Sequence, residues 1–218
     1  MSRVTDIQID GRWVVIEREN AEPLRVRKDI FNRAFNRASP AADDIEDDSQ
    51  LLIDIASAEK ASALEAALRY LASRARTTRE IEAHLNRVGY HEEAIALAID
   101  RLMRTDIVND ARYAEEWTRA RTNRAIGASR IRQEMRRKGI PEDIIKAAEL
   151  NADTHQAANA AVELARKTLR RLSSDEPSAR KRKTIQTLAR RGYSWEQAEE
   201  AYANAARESG AHEFHEEF

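Results

Sequence analysis

The chain contains no cysteine. That excludes a disulfide framework, a thiol nucleophile and a cysteine-based zinc site. Glycine and proline are scarce, six and four in 218 residues, and the abundance of Ala, Leu, Glu and Arg favours helix. No run approaches the roughly 18 to 20 apolar residues that a membrane span needs. The opening "MSRVTDIQID" has no apolar h-region, so a secretory signal is not expected and the expected address is the cytoplasm. Motifs that carry chemistry are missing as well. The five histidines (His84, His91, His155, His212, His215) form no HExxH or other zinc spacing. There is no GxxxxGK[ST], no GxSxG elbow and no Gly-rich dinucleotide turn. His212 and His215 fall in "GAHEFHEEF", which reads as a polar tail rather than a ligand pair. No catalytic, cofactor-binding or metal-binding residue is assigned, and the chain is expected not to be an enzyme.

Charge is what the chain has in quantity. Charged residues make up 34% and apolar residues 42%, with a mean hydropathy of −0.71 and a net charge of −1. The apolar share suffices for a core, and the rest implies much solvated surface. The charge is blocked. Residues 1–60 carry 9 basic and 13 acidic groups, and residues 192–218 carry 1 and 7. Residues 119–138 carry 8 basic groups against Glu134 alone, and residues 166–191 carry 10 against 2. Solvated helix faces account for such blocks. So does a polyelectrolyte partner with basic surface of its own, such as a protein–DNA assembly.

The first 27 residues differ from the rest. "VTDIQI", "RWVVIE" and "PLRVR" are short and β-branched, and Asp10-Gly11 stands between the first two as a favoured hairpin turn. They predict a small three-stranded sheet, followed by a short helix near Lys28–Arg37. The acidic "ASPAADDIEDDSQ" then reads as a linker or as the solvated approach to a helix. As a linker it would make residues 1–37 removable without unfolding the repeats.

From about Gln50 onward the pattern is helix after helix. One unit recurs three times: "IEAHLNRVGYHEEAI", "IRQEMRRKGIPEDII" and "TIQTLARRGYSWEQA". Aligned on Gly89, Gly139 and Gly192, the residues Leu85, Met135 and Leu188 share one position, and Tyr90, Ile140 and Tyr193 share the next apolar one. Glycine suits a left-handed residue just past a helix end, where an apolar neighbour closes over the end. Thr77 with Glu80, and Ser194 with Gln197, have capping-box spacing. Asn109 or Asp110 caps a helix that buries Tyr113, Ala114 and Trp117, and Pro141 fits a first turn. Leu64, Leu68 and Leu71 mark the apolar face of the helix before Thr77. Trp195, like Trp117 and Tyr113, is expected in the core rather than as a base-stacking platform. Glycines 50 and 53 residues apart suit a three-helix module. The predicted fold is mostly α: three tandem three-helix repeats in an elongated curved body, with a small N-terminal β-hairpin or three-stranded element. The predicted parts are an extension over 1–48, repeats over 49–105, 106–151 and 152–207, and a polar tail over 208–218.

A sequence-specific helix–turn–helix reader is disfavoured. The helix after Gly139 opens with Glu142 and Asp143, acidic where phosphates would lie, and the basic residues precede the turn. Non-specific contact with the phosphate backbone stays open. Arg87, Arg137 and Arg190 each stand two residues before a glycine. A cation there complements the helix dipole, which explains Arg87 sufficiently. For Arg137 and Arg190 the surrounding basic residues exceed what capping needs.

"IVNDARYAEEWTRARTNRAIGASRIRQEMRRKGIPEDII" resembles the central repeat of the RecX family, in its "ND" before an aromatic-containing helix, its glycine before "RI" and its "MRRKGI". "TLARRGYSWEQA" is similar to that family's third-repeat element and "REIEAHLNRVGY" to its first. The resemblance spans about Leu51 to Ala203, and the N-terminal strands look like an extension found in some members. It implies a non-enzymatic modulator of the RecA recombinase that lies on the RecA–DNA filament. Such a protein usually inhibits strand exchange, ATP hydrolysis and coprotease activity in DNA repair and the SOS response. The implied partners are the RecA filament and single- or double-stranded DNA. No cofactor or membrane is implied, and a monomer is expected. The candidate contact residues are Arg130, Arg132, Arg136, Arg137, Lys138, Lys183, Arg190 and Arg191. The alternative is a general helical nucleic-acid binder.

Overall fold

The computed structural model describes residues 3–35 and 48–213. They form a three-stranded antiparallel sheet and ten helices, in two compact units, Met1–Val108 and Asn109–Phe218.

In the first unit β1 (Val4–Asp10), β2 (Trp13–Arg18) and β3 (Ala21–Arg27) pair in chain order. Asp10 pairs with Trp13, so the first turn is Gly11-Arg12, one residue later than expected. Gly11 takes the left-handed conformation at φ +59° that only glycine adopts without cost. The second turn places Asn20 at φ +60°, where asparagine is among the tolerated side chains. Period-2 alternation sends Val14, Ile16 and Val26 to one face, and all three are buried. Helix α1 (Lys28–Ala34) adds Ile30 and Phe31 to the same core. The expected helix to Arg37 thus stops at Ala34. Most of the acidic stretch after it lies outside the described residues.

The first three-helix module comprises α2 (Asp48–Leu71), α3 (Thr78–Val88) and α4 (Glu92–Arg104). Thr77 and Glu80 form a reciprocal capping box at the start of α3. The buried face of α2 is Leu51, Ile55, Ala58, Ala63, Ala66 and Ala67, and Leu68 is 41% exposed. Leu64 and Leu71 pack at the edge of the core, so of the leucine face only Leu68 points away from it. Small alanines face inward because α1, α3 and α4 all pack against α2, and a short side chain admits close approach. The sheet, α1 and the module share one hydrophobic core, from Val4 through Ile81 and Leu85 to Val108. Arg33 of α1 grips Glu65 of α2 at 2.8 Å. The sheet thus supplies a wall of the core rather than an appendage, which argues against the expectation that residues 1–37 are removable.

The second unit holds two further modules, α5 (Asp110–Thr122), α6 (Ala128–Arg137) and α7 (Glu142–Leu150), then α8 (Thr154–Arg171), α9 (Pro177–Arg190) and α10 (Trp195–Glu213). Asn109 is the cap of α5, its side chain accepting from Arg112 N at 2.9 Å. Pro141 sits one residue ahead of α7 rather than in its first turn. The middle helix of every module ends the same way. Gly89, Gly139 and Gly192 are left-handed, at φ +97°, +74° and +94°. The next residue's amide reaches back five positions, from Tyr90 to Leu85, Ile140 to Met135 and Tyr193 to Leu188. Leu85, Met135 and Leu188 are all 0% exposed. The aligned positions are thus physically equivalent.

Helix α10 runs to Glu213. One expectation fails in this module. Trp195 is 62% exposed rather than buried. The core of the third module is closed at that end by Tyr193, and the buried face of α10 begins at Ala198.

Candidate functional site

The basic segment 119–138, from the end of α5 through α6, is organised by its single acid. Glu134, largely buried, accepts from Trp117 Nε1 at 3.2 Å and pairs with Arg121 Nε at 2.7 Å. Arg130 Nε approaches its other oxygen at 3.6 Å. The Arg121 guanidinium lies 4.2 Å from the centre of the Trp117 ring, and the Lys138 ammonium covers Trp117 and Tyr113 at 4.7 and 5.3 Å. Tyr113 and Trp117 stack on each other at 5.8 Å. They are half-buried, so the sequence reading of them as core describes one side of each ring. The other side carries cations, an arrangement that holds both partners in place.

The second and third modules meet through two glycines. Gly127, the N-cap of α6, donates to Arg191 O at 2.9 Å, and Ser129 N donates to Gly192 O at 3.2 Å. A Cβ on Gly127 would lie 2.3 Å from Gly192 backbone atoms, and one on Gly192 would lie 2.5 Å from Arg130 Cβ. Backbone-to-backbone approach this close brings the start of α6 against the end of α9. Arg130 Nη1 reaches Arg190 O at 3.5 Å, and Arg191 Nη1 donates to Arg124 O at 3.1 Å.

The eight candidate cations consequently divide. Arg130, Arg190 and Arg191 are brought together at the glycine contact, with Arg124 beside them. Arg137 stands seven residues after Arg130, two turns along the same helix face. Arg137, Arg190 and Arg191 meet no carboxylate among the described residues. Arg132 and Arg136 are engaged differently, each gripping a carboxylate of the same module through two hydrogen bonds. Arg132 holds Glu149 at 2.8 and 2.9 Å, and Arg136 holds Glu142 at 2.9 and 2.8 Å. Hydrogen bonding by Arg136 keeps the Glu142 carboxyl below its ordinary range. These forks fasten α6 to α7. Lys183 pairs with Asp175 at 2.7 Å, and Lys138 is committed to the rings.

Residues that the sequence reading passed over belong here too. Glu134 is visible in sequence only as the lone acid of its segment. Gly127 sits at φ −78°, where any residue is tolerated, so a glycine there is a sign of close packing rather than of a turn. The arrangement presents guanidinium groups on a rigid frame and gathers no nucleophile, acid–base pair or ligand set. Among the described residues no group of three or more His, Asp or Glu converges for a metal. None of their helices is long and apolar enough to cross a membrane. The side chains of His212 and His215 lie outside those described.

Known proteins share this architecture and sequence. The three three-helix domains of RecX match in order, the first at residues 63–102, the second at 109–148 and the third at 156–202. The regulatory protein RecX of Mycolicibacterium vanbaalenii is 37% identical over 142 residues, covering 62% of this chain and 76% of the relative. That of Chlorobaculum tepidum is 35% identical over 139 residues, covering 63% and 84%. The crystal structure of RecX from Lactobacillus salivarius superposes with a TM-score of 0.65 at 28% identity, covering 69% of this chain and 98% of that one. A second RecX crystal structure, at 24% identity and TM-score 0.64, has the same fold over 91% of this chain. Three matched domains in sequence order, and relatives covered over more than two thirds of their length, place this chain in the RecX family of regulatory proteins.

Proposed function

We propose that this chain binds the RecA–DNA filament and inhibits the strand exchange, ATP hydrolysis and coprotease activity of RecA, without chemistry of its own. It does so as a monomer in the cytoplasm. Family membership supports the regulatory role. The observation that carries the contact surface is the set Arg130, Arg137, Arg190 and Arg191. Neighbouring Arg132, Arg136 and Lys183 are neutralised by carboxylates. Of this set only Arg130 approaches one among the described residues, at 3.6 Å, and that carboxylate is already held by Arg121 at 2.7 Å. Unneutralised guanidiniums on a fixed frame suit phosphate and carboxylate alike, which fits a partner made of both DNA and protein.

The test has three binding arms: RecA alone, single-stranded DNA alone, and the assembled filament. Preference for the filament is expected, together with inhibition of RecA ATPase. In R130E/R137E/R190E that inhibition falls and its salt dependence flattens, because phosphate contacts release counterions. Melting falls modestly, since Arg137 and Arg190 each complement a helix end by roughly 0.3 to 1 kcal/mol, and a cooperative melt shows the variant to be folded. The same free guanidiniums favour the reading of a general nucleic-acid binder. Binding to single-stranded DNA alone as tight as to the filament would establish that alternative.

A further inference from the structure

The first unit has a basic surface that its composition hides, because residues 1–60 carry more acids than bases. A cleft of about 610 Å³ opens between the sheet, α1 and α3, with Arg12, Arg27, Lys28, Asp29, His84 and Arg87 on its walls. The frame is fixed at two points. Lys28 N donates to Arg12 O at 2.8 Å, joining the start of β2 to the start of α1. Trp13 packs against the end of α3, its Cη2 lying 3.0 Å from where a Cβ on Gly89 would stand. That contact carries Arg87, two residues before Gly89, into the same cleft as Arg12 and Lys28.

The charges there are uneven. Arg27 is spoken for by Asp29, at 2.6 and 3.0 Å, and lies 4.4 Å from the Tyr90 ring centre. Its Nη1 is buried without a hydrogen-bond partner among the described residues. Arg12, Lys28 and Arg87 meet no carboxylate among those residues. Arg12 rests over the Trp13 ring at 5.4 Å. Burial, reinforced by Arg87 and Arg76, lowers the pKa of His84. The His84 ring stacks on Tyr70 at 4.0 Å, and the downward shift disfavours it as a further charge. Four cations against one carboxylate leave the cleft strongly positive.

We propose that this cleft, where Arg12, Lys28 and Arg87 converge from the β1–β2 turn, α1 and α3, binds the phosphates of a nucleic-acid strand. Cations arriving from three elements surround a tetrahedral oxyanion, whereas a planar carboxylate is held by a single fork. The space greatly exceeds the roughly 30 Å³ of one water and accepts linked phosphates. The site stands apart from the filament reading, since it needs DNA or RNA and no RecA.

The experiment uses the full chain and a labelled oligothymidylate, followed by fluorescence anisotropy across salt concentrations. The background is R130E/R137E/R190E, so that the first unit supplies the remaining contacts. Adding R12E/K28E/R87E removes three phosphate contacts, each contributing a slope of about 0.7. The log–log salt slope then falls by about 2. Over a fourfold rise in salt, roughly 18-fold of the affinity loss disappears. If the triple variant melts early, K28Q and R87Q alone carry the test, each lowering the slope by about 0.7. An unchanged slope in a folded variant overturns the site. Displacement by inorganic pyrophosphate at no more than the oligonucleotide's own phosphate concentration overturns the strand and assigns a small phosphate ligand. Recognition of an acidic protein instead of nucleic acid would appear as no oligonucleotide binding by the background protein, and this too overturns the proposal.

Discussion

Replacing Gly127 by alanine isolates close packing from backbone freedom. Gly127 lies at φ −78° and ψ 160°, ordinary extended backbone, so alanine meets no torsional penalty. Its Cβ would stand 2.3 Å from Gly192 C and O and 2.4 Å from Tyr193 N. These are main-chain atoms that cannot rotate aside. Restoring normal contact separates α6 from the end of α9 by about 1 Å, which breaks the bonds from Gly127 N to Arg191 O and from Ser129 N to Gly192 O. Two hydrogen bonds are worth about 1 kcal/mol each, and lost packing adds about 1 kcal/mol. The stiffer unfolded chain returns roughly 0.4 to 1 kcal/mol. The net loss is about 2 kcal/mol. Gly11 is the control, with φ +59° and, among the described residues, nothing within 4 Å of an added Cβ. There alanine costs only the left-handed strain, about 1 to 2 kcal/mol, and touches no tertiary contact. Urea unfolding gives the magnitudes, and amide hydrogen exchange gives the mechanism. G127A loses protection at the Gly127 and Ser129 amides, and G11A keeps it. A G127A protein within about 0.5 kcal/mol of wild type, with both amides still protected, would refute the glycine contact.

Tyr193 has a buried hydroxyl with no partner among the described residues, so Y193F is neutral or stabilising at pH 7, whereas Y90F loses the bond to Ser62 O at 3.1 Å, worth about 1 kcal/mol. Burial pushes the Tyr193 hydroxyl up to about 12. An unfolded tyrosine titrates near 10, so its contribution is complete below about pH 10 and lost as pH rises toward 12. Urea melts of Y193F across that window should show a shallower alkaline decline than wild type. Deleting residues 1–37 exposes the core walls once covered by Val14, Ile16, Val26, Ile30 and Phe31, each 0 to 2% exposed. At roughly 2 kcal/mol per side chain the loss approaches a whole domain's stability, and exchange protection at Ile81 and Leu85 should vanish. Retained protection there would show the first module to be self-sufficient.

The repeat grammar was legible because glycine, capping residues and apolar spacing act locally. Gly89, Gly139 and Gly192 need only their own backbone to be recognised, and their matched neighbours behaved alike. The sheet was legible for the same reason, apart from the one-residue slip at Gly11-Arg12. What the sequence withheld is non-local. Leu68 looked internal because leucine usually is, yet the helices around α2 select its alanines. Trp195 looked internal until Tyr193 was seen to close the core ahead of it. The basic residues looked like one stripe, because nothing in the sequence tells Arg136, which meets Glu142 across a turn, from Arg137 beside it. The cleft in the first unit was least visible. Arg12, Lys28 and Arg87 are far apart in the chain, and no run of basic residues marks them together.

The position two residues before each glycine holds an arginine in all three modules. Arg87, Arg137 and Arg190 occupy it, and none meets a carboxylate among the described residues, although Arg132 and Arg136 nearby do. A purely dipolar role and a contact role make opposite demands. Complementing the last-turn carbonyls requires only a positive charge and is worth roughly 0.3 to 1 kcal/mol per helix. On that basis lysine would replace each arginine without consequence, and alanine would lower stability while leaving binding intact. Bidentate contact with phosphate or carboxylate uses the planar fork, which lysine, a point charge, cannot reproduce. The expected outcome is the second pattern: R137K and R190K melt as wild type does but inhibit RecA ATPase less. R87K, likewise stable, weakens oligonucleotide binding in the R130E/R137E/R190E background. Lysine variants indistinguishable from wild type in both assays, with alanine variants that only melt earlier, would return all three arginines to the helix dipole.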